Sequence, residues 1–137
     1  MPALDTNVLV RYVVRDDGPQ RAAVRRLIQQ CIDAGQSLFV PVTVVLELEW
    51  VLRARYGCAK AEVIQVIATL FSAAELRFES ARALEVALQL YRDGAADFAD
   101  CVHIALAAQA GEQPLFTFDK RAATVDGAEL LAGPRGA

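Results

Sequence analysis

The stretch SLFVPVTVVLELEWVLRARYG, residues 37–57, contains the unit that decides the fold of this chain. Its compact apolar run Leu38–Val40 predicts a buried strand, which Pro41 ends because proline cannot donate to a strand ladder. Thr43 then predicts the N-cap of a helix that continues to about Tyr56. A short buried strand followed directly by a helix is typical of α/β folds.

The same alternation of strand and helix extends in both directions. Upstream, a short strand over Pro2–Asp5 precedes a helix over Asn7–Val14, and a second helix spans Pro19–Ala34. Downstream, the sequence predicts helices over 61–72, 80–92 and 97–110, with short strands at 76–78 and 115–118. Parallel neighbours need crossover connections, so we predict an α/β fold with a central parallel sheet of about four to five strands flanked by helices.

Length and composition indicate a single globular domain. The 137 residues suit one core, which we expect to span residues 1–132, with 133–137 as a flexible tail. The apolar stretches are too short or too interrupted to cross a membrane. Three cysteines without metal-ligand spacing, and an amino terminus without signal-peptide character, lead us to expect a cytoplasmic protein with reduced thiols. The net charge of −3 does not by itself suggest nucleic-acid binding.

Four acidic residues stand at the joints between these elements: Asp5, Glu47, Asp100 and Asp119. Each follows or interrupts an apolar segment that ought to be buried, and carboxylates are rarely buried without a partner. Asp5 and Asp119 fall at the carboxyl ends of predicted strands, where ligands bind in such sheets, so these two acids should converge. A divalent metal is the simplest shared partner, because hard cations prefer oxygen ligands and offset carboxylate repulsion.

Two glutamates lie close together in the helix that follows Pro41. One stripe of that helix is formed by Leu48, Val51, Leu52 and Arg55. Glu47 lies beside this predicted buried stripe, whereas Glu49 is about 200° further around the helix. Only one of the two glutamates can therefore face a shared site.

Each acid also has an ordinary structural interpretation. Asp5 suits a helix N-cap, and Asp119 suits a turn between a strand and a helix. Asp100 lies inside an alanine-rich helix, where the ordinary interpretation is an exposed position. Asp97, one turn earlier, is either an accessory ligand or the cap of that helix. Accessory roles beside the acids are predicted for the polar residues Thr6, Asn7 and Thr117.

Taken together, these motifs resemble the PIN-domain family, in particular toxins of the VapC type. The resemblance covers essentially the whole chain, and its motifs are Leu4-Asp5-Thr6-Asn7, Leu46-Glu47-Leu48, Asp97-Phe98-Ala99-Asp100 and Thr117-Phe118-Asp119-Lys120. It implies that the catalytic, metal-binding acids are Asp5, Glu47, Asp100 and Asp119. The same match favours Glu47 over Glu49 as the ligand.

The resemblance also implies an activity and a set of partners. It implies an endoribonuclease that uses Mg²⁺ or Mn²⁺ to hydrolyse RNA phosphodiester bonds, leaves a 5′-phosphate and a 3′-hydroxyl, and inhibits translation. It further implies a homodimer that is neutralised by a VapB-type antitoxin.

Two other functions fit an acidic α/β chain. A phosphoaspartate-type protein would use one aspartate as a nucleophile, but Asp5-Thr6-Asn7 lacks a second nearby acid. A late strand end in such a protein would carry a lysine, and Lys120 alone fits that position. A non-enzymatic interaction module on the same fold would be indicated by a missing acid, and none is missing. We therefore expect a nuclease.

Overall fold

Short parallel strands alternate with helices along the chain, which confirms the α/β class. The computed structural model describes residues 2–14 and 18–132, and the predicted tail at 133–137 lies outside them. The elements before residue 81 are α1 (Thr6–Val13), α2 (Pro19–Asp33), β1 (Leu38–Val40), α3 (Val42–Ala54), α4 (Lys60–Phe71) and β2 (Leu76–Phe78). The later elements are α5 (Ala81–Asp93), α6 (Phe98–Gln109), β3 (Leu115–Thr117), a 3₁₀ turn (Ala122–Thr124) and β4 (Ala128–Leu130).

The chain divides into two units, Met1–Ala81 and Arg82–Ala137, and each has fully buried apolar side chains of its own. The largest of these in the first unit are Leu9, Leu38, Val40, Val45, Leu48, Leu52, Val63 and Ile67. In the second unit they are Leu84, Phe98, Val102 and Ile104. The spacing of four apolar residues in the helix predicted over 80–92 indicates a buried stripe, and the structure confirms it, since all four are buried in α5: Leu84, Ala87, Leu88 and Tyr91.

The first unit contains parallel strands that all end at one edge. β1 pairs in parallel with β2, and on its other side Ala3 forms a single parallel bridge to Phe39. The strand predicted over Pro2–Asp5 is therefore reduced to this bridge, because Asp5 already caps α1. Since the strands are parallel, the residues that follow them lie at the same edge.

The amino end of α3 is capped from another strand. Pro41 is the N-cap residue and makes no side-chain cap. Glu79, directly after β2, accepts a hydrogen bond from the Val42 N–H at 2.8 Å, and its own N–H donates to the Val40 carbonyl at 2.9 Å. The prediction that Thr43 caps this helix is wrong. The first helical residue is Val42, so Thr43 already lies inside the helix, and Glu79 satisfies the first free N–H.

The second unit contains a further parallel pair. β3 pairs with β4, with Leu115 opposite Ala128 and Thr117 opposite Leu130. Within the described residues the two ladders, β1 with β2 and β3 with β4, are each two-stranded. Parallel pairing is thus confirmed, while a sheet of four to five strands stays a prediction.

The structure also bears on the expectations for the cysteines and for membrane-spanning helices. Within the described residues Cys31, Cys58 and Cys101 form no disulfide, and the first and last of them are buried. Among the helices of residues 2–14 and 18–132, none is both long and apolar enough to span a membrane.

Candidate metal centre

Three carboxylates of the second unit meet at one place. Asp97, Asp100 and Asp119 each offer an oxygen, and these three oxygens lie within 4.8 Å of one another. Mg²⁺ binds oxygen ligands at 2.0–2.1 Å in octahedral geometry, which puts neighbouring ligand oxygens about 3 Å apart and opposite ones about 4 Å apart. The three oxygens therefore fit a single divalent cation with only small side-chain adjustments.

The start of α6 supplies two of these acids, one turn apart. Asp97 is the N-cap residue with extended backbone (φ −66°, ψ 151°), yet its carboxylate makes no capping hydrogen bond. Asp100 lies three residues further on, which places it on the same side of the helix. The carboxylate of Asp97 belongs to the acid cluster instead of the helix cap, and this is the alternative that the sequence left open.

Asp119 is held in place by the backbone that follows it. One of its oxygens, Oδ1, accepts hydrogen bonds from the N–H groups of Arg121 at 2.8 Å and Ala122 at 3.0 Å. Its own N–H donates to the Thr117 hydroxyl oxygen at 3.0 Å. Asp119 is thus a turn residue and a member of the cluster at once, and Thr117 positions its backbone.

The charges in the cluster act on one another. Burial raises the pKa of the Asp100 carboxyl above its ordinary value, and the negative charges of Asp119 and Asp97 raise it further. His103 and Arg121 oppose that rise with positive charge. By contrast, the hydrogen bond from the Ala122 N–H, with help from Arg121, lowers the pKa of Asp119. The charged form of Asp100 is therefore disfavoured without a cation, whereas the charged form of Asp119 is favoured.

Asp5 and Glu47 lie in the first unit. Asp5 caps α1, because its Oδ1 accepts a hydrogen bond from the Val8 N–H at 3.0 Å. Glu47 is exposed in the second turn of α3, a helix that contacts α1. Thr6 is buried and Asn7 is exposed. Within the described residues neither donates a hydrogen bond to Asp5, so their accessory role stays a prediction.

The buried face of α3 differs from the predicted stripe. The structure buries Val44, Val45, Leu48, Glu49 and Leu52. Val51 is only half-buried and Arg55 is exposed, so the prediction that these two belong to the buried stripe is wrong. Glu49 can be buried because the Arg53 guanidinium, one turn later, donates to its carboxylate at 2.8 Å. The two glutamates do differ in environment, since Glu47 faces solvent and Glu49 is tied to arginine.

The expectation that the site acids are buried is also wrong. Asp5, Glu47 and Asp97 are exposed, and Asp100 and Asp119 are half-buried. Four of these residues follow the end of a strand or lie at the start of a helix, where the chain reaches the surface, and Glu47 lies on the solvent-facing side of α3. Such exposure leaves carboxylate oxygens accessible to a cation and to a bulky substrate.

Comparison with known proteins supports a shared origin for this arrangement. A family model described as PIN domain matches residues 3–128, a range that includes all four predicted acids. The VapC ribonuclease of Aquifex aeolicus (strain VF5) is 24% identical over 121 residues, which is 88% of this chain and 89% of that protein.

Proposed function

This chain belongs to the PIN domain family, and from that premise we propose that it is a divalent-metal-dependent endoribonuclease toxin of the VapC type. The observation that carries the proposal is the meeting of three carboxylates at the amino end of α6 and the end of β3. The similarity to a protein named VapC ribonuclease supports RNA as the substrate. The two competing functions, a phosphoaspartate protein and a non-enzymatic module, have no comparable support.

The residues of the cluster have separate tasks in this proposal. Asp97, Asp100 and Asp119 would hold the ion, while Thr117 and the backbone N–H groups after Asp119 keep that carboxylate oriented. We propose that Asp5 and Glu47 complete the site, because both match the acid pattern of the family in order and spacing. Bound Mg²⁺ or Mn²⁺ supplies an activated water and offsets the charge on the phosphate. Hydrolysis then leaves a 5′-phosphate and a 3′-hydroxyl.

Metal dependence is the direct test of this function. Purified protein incubated with cellular RNA is expected to cut it in Mg²⁺ or Mn²⁺ and to lose all cutting in excess EDTA, with activity restored by added Mn²⁺. Mn²⁺ is also expected to raise the Tm, because a ligand at 100 times its Kd stabilises the folded state by about 2.7 kcal/mol. Cleavage that persists undiminished in EDTA, or no cleavage with either ion, contradicts the proposal.

We further propose that a VapB-type antitoxin segment binds a cavity of the first unit. The cavity has a volume of about 590 Å³ and lies among α1, α2 and α4. Arg11, Arg21 and Arg25 line it together with apolar residues such as Ile28 and Leu70. This mixture suits an amphipathic segment that carries acidic side chains, because opposite charges steer and orient a partner.

Charge reversal in this cavity tests the antitoxin proposal. The Arg21→Glu/Arg25→Glu protein is expected to bind its co-expressed antitoxin at least about tenfold more weakly, since two attractive charges become repulsive. Arg82→Glu/Arg92→Glu on α5 is the matched control and should bind as the wild type does. Equal affinity in the wild type and the cavity variant, measured by isothermal titration calorimetry, contradicts the assignment.

The remaining parts of the proposal follow from the family. We propose that residues 1–132 act as one PIN domain, because the family match runs across both units. We also propose that the protein forms a homodimer and cuts RNA in the cytoplasm, where the loss of intact RNA inhibits translation.

A further inference from the structure

Two phenylalanines next to the acid cluster differ from the others in the chain. Phe116 is 58% exposed and Phe118 is 71% exposed. The other four phenylalanines each contact another ring or an arginine: Phe39, Phe71, Phe78 and Phe98. Within the described residues Phe116 and Phe118 have no ring or cation contact of this kind. Two large rings in water near a proposed catalytic centre call for a function.

The position of these rings is fixed by β3. Phe116 lies within the strand and Phe118 directly follows it, at the residue where the chain bends, so the two exposed rings are only two residues apart. Their attachment points are roughly 7 Å apart, at about 3.3 Å per residue. Phe118 immediately precedes Asp119, whose carboxylate belongs to the cluster. The ring of Phe118 is therefore attached next to the proposed reaction centre.

The charges around the rings are unevenly distributed. Lys120 and Arg121, both exposed, follow Asp119 directly and offer cations beyond the acid cluster. Glu129 lies opposite Phe116 in the ladder and carries the opposite charge. Phosphates are therefore favoured at the Lys120 end of this surface, and the uncharged face of a base is favoured over the rings.

From this arrangement we propose that Phe116 and Phe118 form a stacking platform for unpaired bases beside the scissile phosphate. The inference rests on the proposed nuclease function and assigns to these two side chains the contact with unpaired bases of the RNA. Bases in a duplex are already stacked on their neighbours and cannot lie on a protein ring, whereas unpaired bases stack on aromatic side chains whatever their sequence.

The main competing occupant is a second protein surface. Leu130 and Leu131, which belong to β4 or follow it, are exposed apolar side chains of the neighbouring strand, at 46% and 44%. Two observations favour RNA. The most exposed residues are aromatic instead of aliphatic, and the chain directly after Phe118 supplies an acid of the cluster suited to a metal and two cations suited to phosphate. A protein interface remains distinguishable by its effect on oligomeric state.

The test uses the full chain with Asp100→Asn as the reference background, because that change removes cleavage and one charge that repels RNA. The probes are a short fluorescein-labelled oligoribonucleotide of mixed sequence, single-stranded, and the same sequence paired in a hairpin stem. Binding is measured by fluorescence anisotropy at one fixed salt concentration, since phosphate contacts are salt-dependent. Circular dichroism and thermal unfolding check that each variant is folded.

The platform predicts a specific order of affinities. Phe116→Ala/Phe118→Ala is expected to weaken binding of the single strand roughly 5- to 100-fold and to leave the weak binding of the hairpin stem within twofold. Phe118→Trp should keep the affinity because it keeps a ring, whereas Phe118→Leu, which is apolar without a ring, should behave as Phe118→Ala does. Val86→Ala, which removes an exposed apolar group on α5, should change nothing.

Other outcomes overturn the platform. Unchanged binding in the double alanine variant, or full affinity in Phe118→Leu, shows that the rings do not stack on bases. A change of oligomeric state in the double variant, measured by light scattering, with unchanged RNA bound per protomer assigns this surface to a protein contact. If the wild-type chain cuts RNA in Mn²⁺ while the double variant binds normally, only the platform fails. If the wild-type chain neither cuts nor binds RNA, the proposed function fails with it.

Discussion

Asp100→Asn is expected to abolish metal-dependent RNA cleavage and, in the same protein without metal, to raise the Tm. The loss of activity should exceed about 100-fold, the upper range for removing groups that only support metal ligands, because Asp100 is proposed as a ligand itself. An amide keeps the shape of the side chain but lacks the negative charge that a hard cation requires. Initial rates of RNA cleavage in Mn²⁺ measure this loss.

The gain in stability follows from the charges around Asp100. Its pKa is raised, first by burial and then by Asp119 and Asp97, so the charged form is disfavoured in the folded protein. A group whose pKa rises on folding favours the folded state at low pH, and that contribution is lost as the pH rises through the folded-state pKa. At neutral pH the charged Asp100 therefore opposes folding, and Asp100→Asn removes this penalty. The difference in Tm between the two proteins should shrink as the pH falls below the pKa.

A matched charge change on the same unit separates the site from general electrostatics. Asp93→Asn, at the exposed end of α5, alters net charge by the same amount outside the cluster. It should retain wild-type cleavage and should not show the gain in Tm. Wild-type cleavage by Asp100→Asn, or a similar loss of cleavage in Asp93→Asn, would show that the acid cluster is not the catalytic site.

Phe98→Ala is expected to lower the free energy of unfolding by about 3–5 kcal/mol. Phe98 is 1% exposed, and its ring lies 5.3 Å from the ring of Tyr91, centroid to centroid. Typical domains are stable by only 5–15 kcal/mol, so this single change removes a large part of the total. Urea unfolding followed by circular dichroism measures the loss.

The position of Phe98 also connects stability to the site. It lies in the first turn of α6, between Asp97 and Asp100, so its packing fixes where both carboxylates point. Cleavage should therefore fall even at temperatures where the variant is folded. Phe116→Ala, which removes the same ring from an exposed position, should change stability by less than about 0.5 kcal/mol. Equal destabilisation by the two changes would contradict the assigned packing.

Much of the fold was predictable because the signals for it are local. The apolar stripe of α5 and the strand Leu38–Val40 follow from spacing and from turn residues close in sequence. The cap of α3 was not predictable in this way, since Glu79 directly follows β2 and lies 37 residues after the Val42 N–H that it accepts from. β4 also gave no signal, because Ala128–Leu130 lacks β-branched or aromatic residues and becomes a strand only by pairing with β3.

The candidate site also has features that the sequence predicts and features that depend on tertiary contacts. The acids and their order were readable from the sequence, and so was the difference between Glu47 and Glu49. Which glutamate is buried was not readable, because the burial of Glu49 depends on its pairing with Arg53. Asp97 occupies a cap position, and only coordinates show that its carboxylate makes no cap and joins Asp100 instead. Local sequence patterns therefore identify the candidate acids, whereas tertiary contacts determine which of them are buried, paired with arginine or clustered.

Mn²⁺ titration of three proteins tests whether acids from distant parts of the sequence bind one metal. Mn²⁺ binding to the wild type, Asp5→Asn and Asp100→Asn proteins is measured by electron paramagnetic resonance, with RNA cleavage measured on the same samples. If Asp5 and Asp100 bind the same ion, both substitutions are expected to weaken Mn²⁺ binding and cleavage together, with circular dichroism unchanged. Wild-type Mn²⁺ affinity and wild-type cleavage in Asp5→Asn would contradict binding to the same ion.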